Sequence, residues 1–179
     1  MPGLADVLTV GRLGAGLLMP FAILHGRTAP IALWLFAVSS DFADGRIARR
    51  RGVPSRYGAV LDPLADVTFI LATFTTSAAL GHVGWVVPLA IVASVTGYAI
   101  AIIRASRTAG DVRLARSWIG HAAGVVNYAA AGIVLGAVAW PAAEIAESAI
   151  RGAAIAVVTV NVGAVVERSL STQLARRPT

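Results

Sequence analysis

The chain has 179 residues, 57% hydrophobic and 13% charged, with a formal net charge of +6 and a mean hydropathy of +0.76. A soluble domain carries about 25% charged residues, so the composition points to a membrane protein. No cysteine is present and every one of the 15 cations is an arginine, which excludes disulfides, thiolate-bound zinc, a thiol nucleophile and any lysine chemistry.

A membrane span needs about 20 mostly apolar residues, and six runs qualify. The opening MPGLAD lacks the basic stretch of a secretion signal and no small-residue cleavage site follows, so the first run, Val7–Leu24, is expected to be retained. The second, Pro30–Ala48, changes character part-way. Pro30 to Ser40 carry no charge, and then Asp41, Asp44, Arg46, Arg49 and Arg50 arrive within ten positions. The third, Leu61–Leu80, opens with Asp62 and Asp66. Its start has two solutions: Asp62 caps the helix with Pro63 at the first position, or the helix begins near Gly58 and tolerates the proline. The fourth, Trp85–Ile103, leads into Arg104, Arg107, Arg113 and Arg116. The fifth, Trp118–Trp140, carries the polar residues His121, Asn127 and Tyr128, for which hydrogen bonding between helices is favoured over ligand contact. The sixth is Ile150–Val166.

The connectors are short and the composition does not shift, so residues 1–179 are expected to form one all-α, polytopic domain of six transmembrane helices. Arginine placement orients it. With the N-terminus in the cytoplasm, 13 arginines fall at cytoplasmic loops, tails and helix ends, and only Arg27 and Arg151 fall outside. This positive-inside bias predicts that both termini are cytoplasmic. In so apolar a chain the net positive charge predicts anionic headgroups or a phosphorylated substrate as partner, and no nucleic acid.

Four of the nine acidic residues, Asp41, Asp44, Asp62 and Asp66, lie in one 26-residue window at the predicted cytoplasmic ends of helices two and three. On a helix Asp41 and Asp44 are about 60° apart and Asp62 and Asp66 about 40° apart. Helices two and three, joined by a short loop, are expected to be neighbours, so the pairs converge. Carboxylates crowded together repel one another, and each is costly in a low dielectric. A hard divalent cation relieves both costs, and four aspartates suffice for two ions. An incidental solvated helix end or an ion pathway is the competing interpretation. Gly45, Ala48, Gly58 and Ala59 clear space beside the acids, which suits a bulky phosphorylated ligand better than a bare ion.

The pattern Asp41-x2-Asp44-Gly45-x2-Ala48-Arg49-x8-Gly58-x3-Asp62-x3-Asp66 resembles the full signature of the CDP-alcohol phosphotransferases, with eight fixed positions at matching spacings. LTVGRL, with Thr9 and Arg12, is similar to a stretch these enzymes often carry in helix one. The resemblance implies transfer of a phosphatidyl group from a CDP-linked lipid, usually CDP-diacylglycerol, to a small alcohol or phospho-alcohol, with release of CMP, in phospholipid biosynthesis. It implies Mg²⁺ or Mn²⁺ as cofactor, with two ions expected, held by Asp41, Asp44, Asp62 and Asp66. Asp66 would also serve as catalytic base, and Thr9, Gly45, Ala48, Arg49 and Gly58 would shape the CDP site. It further implies a homodimer in a bacterial or archaeal cytoplasmic membrane, with the active site on the cytoplasmic face.

Acceptor identity is less marked. LDPLADV resembles the glycerol-phosphate branch, but Val67 stands where that branch commonly has lysine. WIGHAAGVVNY lacks the lysine and threonine that the branch carries in helix five. Arg104 and Arg107 are the candidates for gripping an acceptor phosphate by forked hydrogen bonds; topology alone would also place arginines there. A CDP-choline-type donor with diacylglycerol as acceptor, or a transporter or scaffold without catalysis, are the alternative functions.

Overall fold

The structure is a computed structural model that describes residues 4–51, 58–108, 118–141 and 143–174, with side chains described for 7–43, 61–103, 118–141 and 146–170. Six helices follow one another: α1 Leu4–His25, α2 Ala29–Arg51, α3 Gly58–Ala79, α4 Val86–Thr108, α5 Trp118–Ala139 and α6 Ala143–Leu174. All described secondary structure is helical, as expected from the apolar runs. Among the described residues four helices are long and apolar enough to cross a membrane, in the windows Val7–His25, Val86–Ile103, Trp118–Ala139 and Ala146–Leu170. In α2 the described apolar stretch is the shorter Ala29–Ala43, and in α3 the first three turns carry Asp62 and Asp66.

The structure selects the second of the two starts the sequence allows for α3, and α6 is longer than its apolar run. Helix α3 starts at Gly58 and contains Pro63, so the proline is tolerated inside the helix at the loss of one backbone donor. Helix α6 runs from Ala143, well before Ile150, to Leu174. Counting apolar residues measures only the part that matches the hydrocarbon, whereas the helix continues through polar residues at both ends. One of those is Glu147, which pairs with Arg151 one turn later.

Helix α3 is central and packs on α1, α4 and α5. Its inward stripe, Ala65, Phe69, Ile70, Thr73, Phe74, Ser77 and Ala78, is buried, at the three-to-four-residue spacing of one helix face. Thr73 satisfies its buried hydroxyl on the Phe69 carbonyl at 2.8 Å. Large apolar side chains such as Leu17, Leu18 and Phe21 point outward and are exposed, which suits lipid contact.

Helices α2 and α3 were expected to be direct neighbours, and here the structure corrects the sequence. Among the described residues, α2 packs on α1 and α5 but not on α3, and α1 packs on both α2 and α3. Small residues on α1 make this possible. A Cβ on Gly16 would lie 2.9 Å from the Phe69 nitrogen and 3.0 Å from its Cα, so the α1 and α3 backbones approach as closely as glycine allows. Between apolar helices in lipid, such close packing takes the place of a hydrophobic driving force. Gly16→Ala should therefore push α1 from α3 and cost about 1–3 kcal/mol. Thermal unfolding in detergent measures this, and an unchanged midpoint would show that the contact is not limiting.

Candidate active site

Four helices deliver polar side chains to one end of the bundle. Thr9 and Arg12 lie three residues apart on α1, Ser40 and Asp41 are adjacent on α2, Asp62 and Asp66 lie four apart on α3, and Tyr128 comes from α5. Arg12 is the hub, with its residue fully buried at 0% exposure. Its Nη1 donates to Asp66 Oδ1 at 2.6 Å and to Asp41 Oδ1 at 3.1 Å, and its Nε donates to Ser40 Oγ at 3.3 Å. The Ser40 hydroxyl donates in turn to the Ala37 carbonyl at 2.9 Å. The Thr9 hydroxyl donates to Asp62 Oδ1 at 2.5 Å. Tyr128 Oη donates to Asp66 Oδ1 at 2.8 Å.

Charge is layered here. The Arg12 side chain is 1% exposed, while those of Asp41 and Asp66 are 62% and 37% exposed. A sealed cation thus underlies a mouth of carboxylates that is partly open. The negative charges of Asp66 and Asp62 both act on Asp41. A single guanidinium on α1 links acids from α2 and α3, helices that do not pack on each other among the described residues.

The sequence expectations divide as follows. Thr9, Asp41, Asp62 and Asp66 are brought to one place. Asp44, Gly45, Ala48 and Arg49 lie on α2, Gly58 on α3, and Arg104 and Arg107 on α4, but their side chains lie outside the described residues. Tyr128 and Asn127 do bond between helices: Asn127 Oδ1 accepts from Asn161 Nδ2 of α6 at 2.8 Å. Tyr128 belongs to the site as well. Ser40 and the central role of Arg12 were missed. In the sequence Arg12 stands both among the cytoplasmic arginines that set topology and in the LTVGRL stretch with Thr9, and neither reading makes it the hub. An arginine inside an apolar run, one turn from Thr9, was the available signal, since ionised groups at such positions need a partner.

A divalent cation can be weighed against these residues. Asp41 and Asp66 already share one positive charge, that of Arg12, and the donors are carboxylate oxygens of the kind that hard Mg²⁺ or Mn²⁺ accepts. Among the described residues no three acidic or histidine side chains form a ready ligand group. Asp44, one helical turn from Asp41, is the further donor the sequence supplies. The chemistry of the donor set fits a divalent ion.

Comparison with known proteins adds to this geometry. The family model described as CDP-alcohol phosphatidyltransferase matches residues 3–165. An Arabidopsis thaliana protein named CDP-diacylglycerol–glycerol-3-phosphate 3-phosphatidyltransferase 2 is 34% identical over 104 residues, covering 50% of this chain and 43% of its own. A Mycobacterium bovis protein named CDP-diacylglycerol–serine O-phosphatidyltransferase is 39% identical over 92 residues, 48% of this chain and 32% of its own. A cardiolipin synthase (CMP-forming) of Oryza sativa is 39% identical over 74 residues, 39% of this chain and 22% of its own. The matched stretches span less than half the length of these curated relatives.

Proposed function

The chain belongs to the CDP-alcohol phosphatidyltransferase family, a family generally dependent on a divalent metal, and from that premise we propose that it transfers a phosphatidyl group from CDP-diacylglycerol to an alcohol. The observation that carries this is the meeting of Asp41, Asp62 and Asp66 with Thr9 and Arg12 at one end of an apolar helix bundle. These are three of the four signature acids, at a bundle end that would let lipid tails stay in the bilayer while a nucleotide reaches water.

The acceptor hydroxyl attacks the lipid-side phosphorus of the diphosphate. A new P–O bond forms, the P–O bond to CMP breaks, and the hydroxyl proton passes to Asp66. Asp41, Asp44, Asp62 and Asp66 would hold Mg²⁺ or Mn²⁺, two ions in our reading. Bound there, the metal neutralises charge that develops on the diphosphate oxygens. Thr9, through its bond to Asp62, and Gly45, Ala48, Arg49 and Gly58 form the CDP site. We assign six membrane spans, cytoplasmic termini, a cytoplasmic active site and a homodimer to the assembled enzyme; the first two follow the arginine asymmetry.

The named relatives use different acceptors, glycerol 3-phosphate and serine among them, so the acceptor has to be found by assay. Purified protein in lipid, given CDP-diacylglycerol, Mg²⁺ and one acceptor at a time, should release CMP with one of glycerol 3-phosphate, inositol phosphate, inositol, serine or phosphatidylglycerol. Silence with every acceptor and with Mn²⁺ as well would refute the transferase. Arg104 and Arg107 test the acceptor pocket. If they grip a phosphate, Arg104→Ala or Arg107→Ala should raise the acceptor KM by about tenfold or more, the loss of one charged hydrogen bond, and leave the CDP-lipid KM nearly unchanged. Equal effects on both substrates would return these arginines to topology.

A further inference from the structure

Asp66 is held by an unusual pair of donors. Arg12 Nη1 and Tyr128 Oη reach it at 2.6 Å and 2.8 Å, and both bonds fall on the same atom, Oδ1. Two donors arriving from different helices, α1 and α5, fix the plane of a carboxylate that one donor would let swivel. Among the described contacts none falls on the opposite oxygen, Oδ2.

Tyr128 is itself tightly placed. Its ring stacks on the fully buried Phe69, with centroids 5.7 Å apart and planes 11° from parallel. Phe69 lies on α3 three residues after Asp66, so the phenol lies along the same helix face as the carboxylate it meets. The Tyr128 carbonyl accepts a bond from Trp34 Nε1 of α2 at 2.9 Å. The Trp34 ring in turn lies against Gly132, where a Cβ would come within 2.4 Å of Cζ2. The neighbouring Asn127 is pinned to Asn161 of α6. Backbone and ring are therefore clamped by α2, α3 and α6 independently of the hydroxyl. Holding α5 in the bundle does not require the phenol oxygen, which goes to Asp66 alone among the described contacts.

We propose that Tyr128 is a positioning residue for phosphatidyl transfer: with Arg12 it ties Oδ1 of Asp66 and holds Oδ2 toward the acceptor hydroxyl. This rests on the assignment of Asp66 as base. A hydrogen bond to an ionised carboxylate is among the stronger ones available, and small misplacements of a reacting group can lower rates by about 10²-fold. The phenol touches no reacting atom, so its contribution should appear in kcat through Asp66 and not in substrate affinity.

The test uses purified full-length protein in lipid with CDP-diacylglycerol and the acceptor found as above. Tyr128→Phe should lower kcat by about 10–100-fold while both KM values stay within about threefold. In an Asp66→Asn background, Tyr128→Phe should change the residual turnover by less than about twofold, because coupled groups do not add. Tyr128→4-aminophenylalanine keeps a donor at the ring's para position and should recover most of the turnover. Tyr128→4-methoxyphenylalanine fills the same position without a donor and should not. If Tyr128→Phe does not accumulate as folded protein, the amino and methoxy variants decide by themselves. Wild-type kcat in Tyr128→Phe or in the methoxy variant, or losses that multiply with Asp66→Asn, would overturn the positioning role while leaving Asp66 as base. Near-normal turnover in Asp66→Asn alone would remove the base, and the proposal with it.

Discussion

Asp66→Asn should reduce single-turnover transfer by about 10²–10⁴-fold, the usual loss when a general base is removed, while binding of CDP-diacylglycerol survives. Asparagine preserves the shape of the side chain and one oxygen, which can still accept from Arg12 and Tyr128. What it cannot do is take the acceptor's proton. Asp41→Asn should fail differently. Asp41 meets Arg12 from the α2 side and is the more exposed of the two carboxylates at 62%, so its loss should weaken metal-dependent donor binding before it touches the chemical step. Measuring donor affinity and single-turnover rate on the same folded preparations separates the two. If Asp66→Asn loses donor binding as badly as Asp41→Asn, Asp66 is better described as a metal ligand than as a base.

The two aspartate pairs were legible because spacing along one helix is a local property. Residues three or four apart share a face whatever the helix packs against, so Asp41 with Asp44 and Asp62 with Asp66 could be grouped from the sequence alone. The six helices were legible for a similar reason, since an apolar run is read along one dimension. The hub was harder to foresee. The bonds of Arg12 to Asp66 and of Tyr128 to Asp66 join residues 54 and 62 positions apart, and which helices bring them together depends on packing. The short loop between α2 and α3 suggested direct contact. The steric fact that decided otherwise is α1, which is small enough at Gly16 to lie against the α3 backbone. With α1 packed on both, a long cationic side chain on α1 can serve both acids, and Arg12 does so.

Arg12→Met should therefore have a large effect of a distinctive kind. Methionine keeps an apolar stem of similar reach in a fully buried position but removes the cation shared by Asp41 and Asp66. The carboxylates, still subject to one another's charge, then lose their counter-ion. Because both are partly open to water, the cost should fall below that of breaking a fully buried pair, at about 1–3 kcal/mol. The protein without metal should melt lower than wild type. Turnover should also fall, by about tenfold or more, since Asp66 loses one of the two donors that orient it. Metal should act in the opposite direction. In the wild-type protein an added divalent ion shares its ligands with a resident positive charge, whereas in Arg12→Met it meets uncompensated carboxylates and binds more tightly. Ligand binding to the folded state stabilises it in proportion to the logarithm of its affinity, so Mg²⁺ or Mn²⁺ should raise the melting temperature of Arg12→Met more than that of wild type. Arg12→Lys keeps the charge but not the planar fork that reaches two acids and a serine at once, and should fall between the two. Equal metal-induced shifts in wild type and Arg12→Met, with equal melting in the absence of metal, would show that Arg12 is not the counter-ion of this site. A lower melting point that metal cannot rescue would instead mean that Arg12 holds the helices together but that the acids around it do not gather a divalent ion.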